Sequence, residues 1–147
     1  MMNILLFCDT DENGNITESL KGFRVIPNQQ YQHFFYLQED LNVLDYKVIN
    51  NQLAKIPMPP QFVDIELTNN TVELLWDNVE NEKEYQVYKN DQLLVVSDDN
   101  IHIDSEITEG SIYTYKIKTV SNENLISEFS ESFVIEIPIT EVDQQQS

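Results

Sequence analysis

Three oxygen-bearing side chains in the first fifteen residues have the spacing of a calcium-binding loop. Asp9, Asp11 and Asn13 occupy alternate positions and precede Gly14, which matches the first half of such a loop. The twelfth position, which should supply a bidentate glutamate, is Leu20, and no flanking helix is evident. Asn13-Gly14 is also the strongest short signal for a β-hairpin with a type I′ turn. We therefore favour a hairpin turn and keep a calcium site as the alternative.

Residues that usually carry nucleophilic or metal-assisted catalysis are few. The two histidines, His33 and His102, are 69 positions apart, and Cys8 is the single cysteine. A nucleophile needs a base held by a third group, and catalytic zinc needs three good ligands, so neither site can be assembled. Asp98 and Asp104 could form the carboxylate pair of a glycosidase, but chance pairs are expected among 26 acidic residues. We expect no enzymatic activity, no cofactor and no bound metal.

The acidic residues near His102 have a simpler interpretation. Asp98, Asp99 and Asp104 flank this histidine on a predicted loop and edge strand. Charged side chains on an edge strand discourage pairing with other chains, so we predict that they are solvated. A bound cation is the alternative.

The charge of the chain restricts its partners. It carries 26 acidic and 8 basic residues, a net charge of −18 over 147 residues. Contacts with a nucleic-acid backbone need clustered lysine and arginine, so we expect no nucleic-acid partner. A protein that mimics DNA needs carboxylates in regular rows, and the sequence shows no such row. The apolar run at residues 4–8 is too short for a signal peptide, and no later run is long enough to cross a bilayer, so we expect no membrane insertion.

The first 56 residues predict a small module built mainly of β-strands. We expect strands at 3–8, 15–20 and 21–27, a helical turn within 38–44, and a hairpin of 45–49 with 52–56. The turn of that hairpin is Asn50-Asn51, a pair that tolerates left-handed backbone. Cys8 is expected to be a small core residue.

An aromatic cluster lies in the middle of this module, at Tyr31, His33, Phe34, Phe35 and Tyr36. Aromatic residues in a small module are usually core, but they are also enriched at binding hot spots. We keep these five residues as interface candidates. His33 has no second histidine near it and is not expected to bind a metal.

Prolines at 57, 59 and 60 mark a boundary. Proline removes amide donors and stiffens the chain, so we predict a spacer at 57–60 between a docking module at 1–56 and a second domain at 61–138. The polar residues after 138 predict a disordered tail at 139–147.

The second domain has the pattern of a β-sandwich. Short strands are predicted at 61–67, 71–76, 84–89, 92–97, 101–104, 111–120 and 131–137. Seven strands with a turn every eight to twelve residues are typical of a two-sheet sandwich. The predicted core residues are Trp76, Tyr85, Val87, Tyr113, Tyr115 and Ile117.

The order of these features resembles a fibronectin type III domain. The resemblance covers about residues 60–137 and includes the Trp76 strand, the Tyr85-x-Val87 strand, the run Ile107-x-x-Gly110-x-x-Tyr113-x-Tyr115-x-Ile117, and Ser127-x-x-Ser130. It implies a seven-stranded sandwich in which Tyr113 is the tyrosine corner, its hydroxyl bonded to nearby backbone. No Arg-Gly-Asp triplet is present, so integrin binding does not carry over.

The first 56 residues combine a short opening strand, the turn Asp-Glu-Asn-Gly-Asn-Ile at 11–16, the segment Gly-Phe-Arg-Val-Ile-Pro at 22–27, the aromatic cluster and a closing hairpin at 45–53. In this order they look like the small N-terminal modules of virion accessory proteins from phages of low-GC Gram-positive bacteria. This resemblance implies a non-enzymatic virion protein of the capsid, neck or tail. Its first module would bind other virion proteins, and its sandwich would be displayed, with the host cell surface as a candidate partner. The alternative is an acidic regulator that binds a basic host protein. A carbohydrate-binding module is a third hypothesis, for which Tyr88 is the one outward aromatic candidate on its strand.

Overall fold

The computed structural model of the chain describes residues 3–61 and 63–140, and these are mainly β. They form twelve antiparallel strands and one short 3₁₀ helix. The chain divides into two compact units, Met1–Ile56 and Pro57–Ser147. The predicted fold class is confirmed. Of the disordered tail predicted at 139–147, residues 141–147 lie outside the described residues.

The first unit consists of a three-stranded sheet, a 3₁₀ turn and a hairpin. Its elements are β1 (Ile4–Thr10), β2 (Ile16–Gly22), β3 (His33–Leu37), the 3₁₀ helix η1 (Val43–Asp45), β4 (Tyr46–Ile49) and β5 (Gln52–Lys55). The strand order in the sheet is β2-β1-β3. Its buried face carries Ile4, Leu6 and Leu37, against which Leu41, from the segment after β3, and Leu53 of β5 pack. Cys8 is also fully buried.

The loop between β1 and β2 is longer than a type I′ turn. Gly14 has a φ of 83°, whereas Asn13 is not among the described residues with positive φ, so the predicted turn type is wrong. The loop spans residues 11–15, closed by a bond from the Asp11 amide to the Asn15 carbonyl. The Gly14 carbonyl accepts from the Val48 amide at 2.9 Å, and a Cβ at Gly14 would collide with the Val48 carbonyl. This glycine therefore joins the loop to β4.

Two predicted elements of the first unit are wrong. The strand predicted at 21–27 does not form, because β2 continues to Gly22 and residues 23–32 have no strand. The helical turn predicted at 38–44 is replaced by the 3₁₀ helix at Val43–Asp45, with Leu44 exposed and Leu37 in a strand. The leucine spacing matched a helix by chance. The predicted hairpin does form, with both Asn50 and Asn51 in left-handed backbone.

The second unit is a sandwich of two antiparallel sheets. Its strands are β6 (Val63–Thr68), β7 (Thr71–Trp76), β8 (Glu82–Lys89), β9 (Gln92–Ser97), β10 (Ile101–Asp104), β11 (Ile112–Ser121) and β12 (Phe133–Glu136). The three-stranded sheet has the order β10-β7-β6, and the four-stranded sheet has the order β12-β11-β8-β9. The seven strands lie close to the predicted positions.

The core of the second unit lies between the inward faces of the two sheets. β7 contributes Val72, Leu74 and Trp76. The four-stranded sheet contributes Tyr85, Val87, Tyr115 and Ile117, and Ile137 follows β12. The Trp76 ring meets the Tyr85 ring edge to face at 5.4 Å between centroids, a favoured geometry for aromatic pairs.

Hydroxyl groups of Tyr113, Ser127 and Ser130 accept hydrogen bonds from backbone amides of the second unit. The Tyr113 hydroxyl accepts a hydrogen bond from the Thr108 amide at 2.9 Å, with Gly110 at a φ of 80° in the intervening turn. The Ser130 and Ser127 hydroxyls accept from the β11 amides of Ile117 and Thr119, respectively. The two serines thereby satisfy buried amide groups that lack a strand partner.

Candidate interaction surfaces

The aromatic cluster of the first unit is divided between the two faces of its sheet. Successive side chains of a strand point to opposite faces, and β3 follows this rule. Phe35 points inward and packs against the core, and His33 shares that face. Phe34 and Tyr36 point outward and are 42 % and 68 % exposed. Tyr31, just before β3, lies on the outward side beside Phe7.

The outward rings contact one another to form a continuous surface. The Phe7 ring is stacked on Phe34 at 4.7 Å between centroids, and Phe34 meets Tyr36 edge to face at 4.7 Å. Tyr31 lies 6.0 Å from Phe7. The strand register adds Leu5, opposite Tyr36, and Leu20, opposite Phe7. We call this surface the aromatic face, and it consists of Leu5, Phe7, Leu20, Tyr31, Phe34 and Tyr36.

Sequence reasoning missed three residues of the aromatic face. The sequence predicts strands that contain Leu5, Phe7 and Leu20, but the side of the sheet on which these side chains lie was not predicted. A signal was present, because residues 4–8 are apolar at every position, and a strand that alternates inward and outward has no need for apolar residues on a solvated face. Such a run indicates that both faces of β1 make apolar contacts. Of the five interface candidates, Tyr31, Phe34 and Tyr36 lie on this face, and His33 and Phe35 lie on the other.

Side-chain oxygens of Asp9 and Asp11 in the candidate calcium loop accept hydrogen bonds from other groups of the first unit. Asp11 Oδ1 accepts from the amides of Asn13 and Asn15 at 2.9 Å, and Asp11 Oδ2 accepts from the Asn15 side chain at 3.0 Å. The bond from the Asn15 side chain contributes most to lowering the pKa of Asp11. Asp9 Oδ1 accepts from the Gln32 amide at 2.8 Å. These carboxylates shape the backbone, as they do in an Asx turn.

Asp104 is buried, so the prediction that it is a solvated edge charge is wrong. It is 3 % exposed, and its carboxylate is bound by three donors. Oδ2 lies 2.6 Å from the Tyr115 hydroxyl and 2.8 Å from Lys89 Nζ, while Oδ1 accepts from the Glu106 amide at 3.0 Å. Lys89 also lies over the Tyr113 ring, 4.4 Å from its centroid. The ion pair between Asp104 and Lys89 joins strands of different sheets. The local sequence pattern around Asp104 could therefore not predict it.

The protonation states of this network follow from its geometry. Burial opposes ionisation of Asp104, but hydrogen bonds from Lys89 and Tyr115 hold the pKa of this carboxyl below its ordinary value. Burial and the neighbouring carboxylate raise the pKa of Tyr115. Asp104 is therefore an ionised acceptor, and Tyr115 is a neutral donor. With its oxygens enclosed in the sandwich, Asp104 cannot flank a glycosidic bond together with Asp98.

Tyr88, on the four-stranded sheet, is not an isolated aromatic ring. Its ring meets Phe129 edge to face at 5.0 Å between centroids. The Lys118 ammonium lies 4.2 Å from the Phe129 centroid and 5.8 Å from that of Tyr88. Lys116 also covers Phe129 and pairs with Asp91 at 2.5 Å. The Tyr88 and Phe129 rings therefore lie beside two lysine ammonium groups.

Comparisons with known proteins bear on the second unit. No protein-family model matches the chain, and no curated protein matches it. Among solved structures, an Fn3-like protein from Clostridium thermocellum is 20 % identical, with a TM-score of 0.52 over 60 % of this chain and 100 % of that chain. A structure named FN3tt mut is 19 % identical, with a TM-score of 0.50 over 56 % of this chain and 97 % of the other.

The sandwich has a fibronectin type III-like fold. The share of the chain that these structures cover is close to the size of the second unit. A similar TM-score, 0.51 at 10 % identity, relates the chain to a family 28 exopolygalacturonase from Yersinia enterocolitica, of which only 20 % is covered. At these identities the likeness concerns the fold, which many unrelated proteins share. Within the described residues, no helix has both the length and the apolar character needed to cross a membrane.

Proposed function

We propose that the chain is a non-enzymatic accessory protein of a bacteriophage particle, and that its first unit docks on the particle through the aromatic face while the sandwich is displayed. The observation that carries the docking half is the contact of Phe7, Phe34 and Tyr36 on the outward side of a sheet. Contiguous exposed apolar patches on soluble proteins mark interaction sites. Phenylalanine and tyrosine are also enriched in protein interfaces.

The size of the first unit supports the same role for this face. About 56 residues bury only about 60 % of the surface of their unfolded chain, which leaves such a domain marginally stable. The core of buried residues contains Ile4, Leu6 and Leu37. A partner seated on the aromatic face would add a second apolar layer to β1 and so stabilise the unit. Docking and ordering of the first unit are therefore coupled in this proposal.

The virion assignment rests on the resemblance of residues 1–56 to virion accessory modules. A sandwich with a fibronectin type III-like fold suits display, because the fold holds its loops and sheet faces on a rigid scaffold. Because Asp104 is enclosed in the sandwich, it is not available for the carboxylate pair with Asp98 that a glycosidase would need. Host lysis would release such a protein together with its particle.

The experiment is incorporation of the tagged full-length chain into particles separated on a density gradient. Tyr36→Ser, on the aromatic face, is expected to reduce the bound fraction at least about tenfold, as loss of an interface hot spot does. The matched control is Ile26→Ser, because Ile26 is an apolar residue of the same unit that is 90 % exposed and takes no part in the described ring contacts. Equal loss for both variants, or incorporation of Tyr36→Ser at the parental level, would contradict the proposal.

A second candidate function is favoured by the distribution of charge. The second unit has 19 acidic and 4 basic residues, a net charge of −15, whereas the first has 7 and 4, a net charge of −3. An acidic regulator that binds a basic host protein would use the sandwich for binding. This function predicts a stoichiometric complex with a basic protein in the particle-free fraction, which Tyr36→Ser would not disturb.

A further inference from the structure

The strand β10 has its polar and apolar sides reversed. In a sandwich, apolar residues normally point inward and polar residues point outward. β10 instead points His102 and the buried Asp104 toward the other sheet, opposite Leu74 and Val72 of β7, and it points Ile101 and Ile103 outward. A shift of one residue would exchange the two sets. The structure uses the register that exposes the isoleucines.

The register of β10 is fixed by the buried network. Asp104 reaches Lys89 and Tyr115 on the four-stranded sheet only from its inward position. If the strand shifted by one residue, this carboxylate would move to the solvated face and leave the Tyr115 hydroxyl buried without an acceptor, which is costly. Exposure of Ile101 and Ile103 is thus imposed by the Asp104 contacts, and an edge strand that carries isoleucine outward is open to association.

The outward isoleucines form a compact apolar group with a residue of β7. In the register of the sheet, Ile101 lies opposite Leu75 and Ile103 lies opposite Glu73. Leu75 is exposed, and Ile103 is 52 % exposed. Neighbouring strands are about 4.8 Å apart, so Leu75, Ile101 and Ile103 lie side by side. We call this group the aliphatic face.

Carboxylates border the aliphatic face on the side of β6. Asp64 lies opposite Leu75, and Glu66 lies directly opposite Glu73. Like charges in directly opposite positions of a sheet destabilise it. None of the ion pairs among the described residues involves these three side chains. The face therefore has an apolar half and an acidic half, with a repulsion that a cationic group placed between Glu66 and Glu73 would relieve.

We propose that the outer face of the three-stranded sheet docks a basic amphipathic segment of another protein. Leucine, isoleucine or valine of the partner would cover Leu75, Ile101 and Ile103, and lysine or arginine would lie on Asp64, Glu66 and Glu73. A second copy of this chain is not the proposed occupant, because its second unit carries a net charge of −15 and would be repelled by the acidic half of this face. The inference deepens the display half of the proposed function and rests on it.

The test is titration of the ¹⁵N-labelled full-length chain with a short amphipathic helical peptide of leucine and lysine. We expect the amide shifts to concentrate at residues 64–66, 73–75 and 101–103. A peptide in which glutamate replaces lysine is expected to bind at least about tenfold more weakly, because several like charges then oppose each other. Equal binding of both peptides, or shifts centred elsewhere, would overturn the proposal.

Matched variants separate the aliphatic face from other exposed residues. Ile103→Thr removes an apolar contact and keeps a β-branched side chain, and it should weaken peptide binding about fivefold to tenfold. Ile112→Thr is the control, because Ile112 is 59 % exposed on a strand of the other sheet, and it should change the affinity less than twofold. If the two variants weaken binding equally, the aliphatic face is not the site.

A charge variant tests the acidic half without altering apolar packing. The double substitution of Glu66→Gln with Glu73→Gln should weaken binding of the lysine peptide about threefold to tenfold and reduce its dependence on salt. Parental affinity in this variant would overturn the proposal. Tyr36→Ser should leave peptide binding unchanged. Failure of peptide binding with normal particle incorporation would refute this inference alone, and the reverse result would refute the docking proposal alone.

Discussion

Replacing Asp104 with asparagine removes the charge at the centre of the buried network and keeps the shape of the side chain. The Tyr115 hydroxyl then donates to a neutral acceptor, a loss of about 1 kcal/mol. Lys89, with a side chain 14 % exposed, loses its ionic partner, a loss of about 2 kcal/mol when its partial access to water is allowed for. We expect a total of about 3 kcal/mol, a large part of the roughly 5 to 13 kcal/mol that a unit of this size possesses.

The assay is urea unfolding followed by the fluorescence of Trp76, the single tryptophan of the chain, which reports on the second unit. Its pH dependence has a definite sign. Burial opposes ionisation of Asp104, but the bonds from Lys89 and Tyr115 lower its pKa in the folded state. The stabilisation is therefore complete above the pKa of an unfolded aspartate, about 3.9, and is lost as the pH falls through the lower folded pKa. The difference in stability between the parent and Asp104→Asn should stay constant from pH 7 to about pH 4 or 5 and narrow as the pH falls further toward about pH 2.

A control and two outcomes decide the interpretation of Asp104. Asp98→Asn changes an exposed carboxylate three residues before β10 and should alter stability by less than about 0.5 kcal/mol. A difference below about 1 kcal/mol between the parent and Asp104→Asn at pH 7 would refute the reasoning. So would a difference that stays constant down to about pH 2.

Two further predictions concern the core and the first loop. Trp76→Ala should destabilise the second unit by about 3 to 5 kcal/mol, all of it from packing because the indole Nε1 has no hydrogen-bond partner among the described residues; circular dichroism during urea unfolding measures this, and a loss below about 1 kcal/mol would contradict the placement of the ring. Millimolar calcium should leave the melting temperature of the chain unchanged, since both carboxylate oxygens of Asp11 accept bonds within the loop; a rise of several degrees that a chelator reverses would show a calcium site.

The sandwich was predictable because its strands carry their signal locally. Tyr113, Tyr115 and Ile117 alternate with polar residues along β11. This alternation has the period of two that is expected of a half-buried strand. The Thr108 amide lies five residues before Tyr113, so the corner contact is local as well. Fold class and strand positions therefore followed from the residues in order.

The reversed strand β10 was not predictable from the same kind of signal. The run Ile101 to Asp104 alternates cleanly, but a period of two does not state which set points inward. That choice depends on Lys89 and Tyr115, which belong to the other sheet. In the first unit the aromatic cluster was recognised, but its division into Phe35 inward and Tyr36 outward needed the strand boundaries of β3.

The most direct measurement of the docking claim is a reconstruction of purified particles that carry the full-length chain, compared with particles that lack it. We expect additional density in which the first unit contacts the particle through Phe34 and Tyr36, with the sandwich on the outer side. Density in which the sandwich contacts the particle, or particles without the chain at any position, would contradict it.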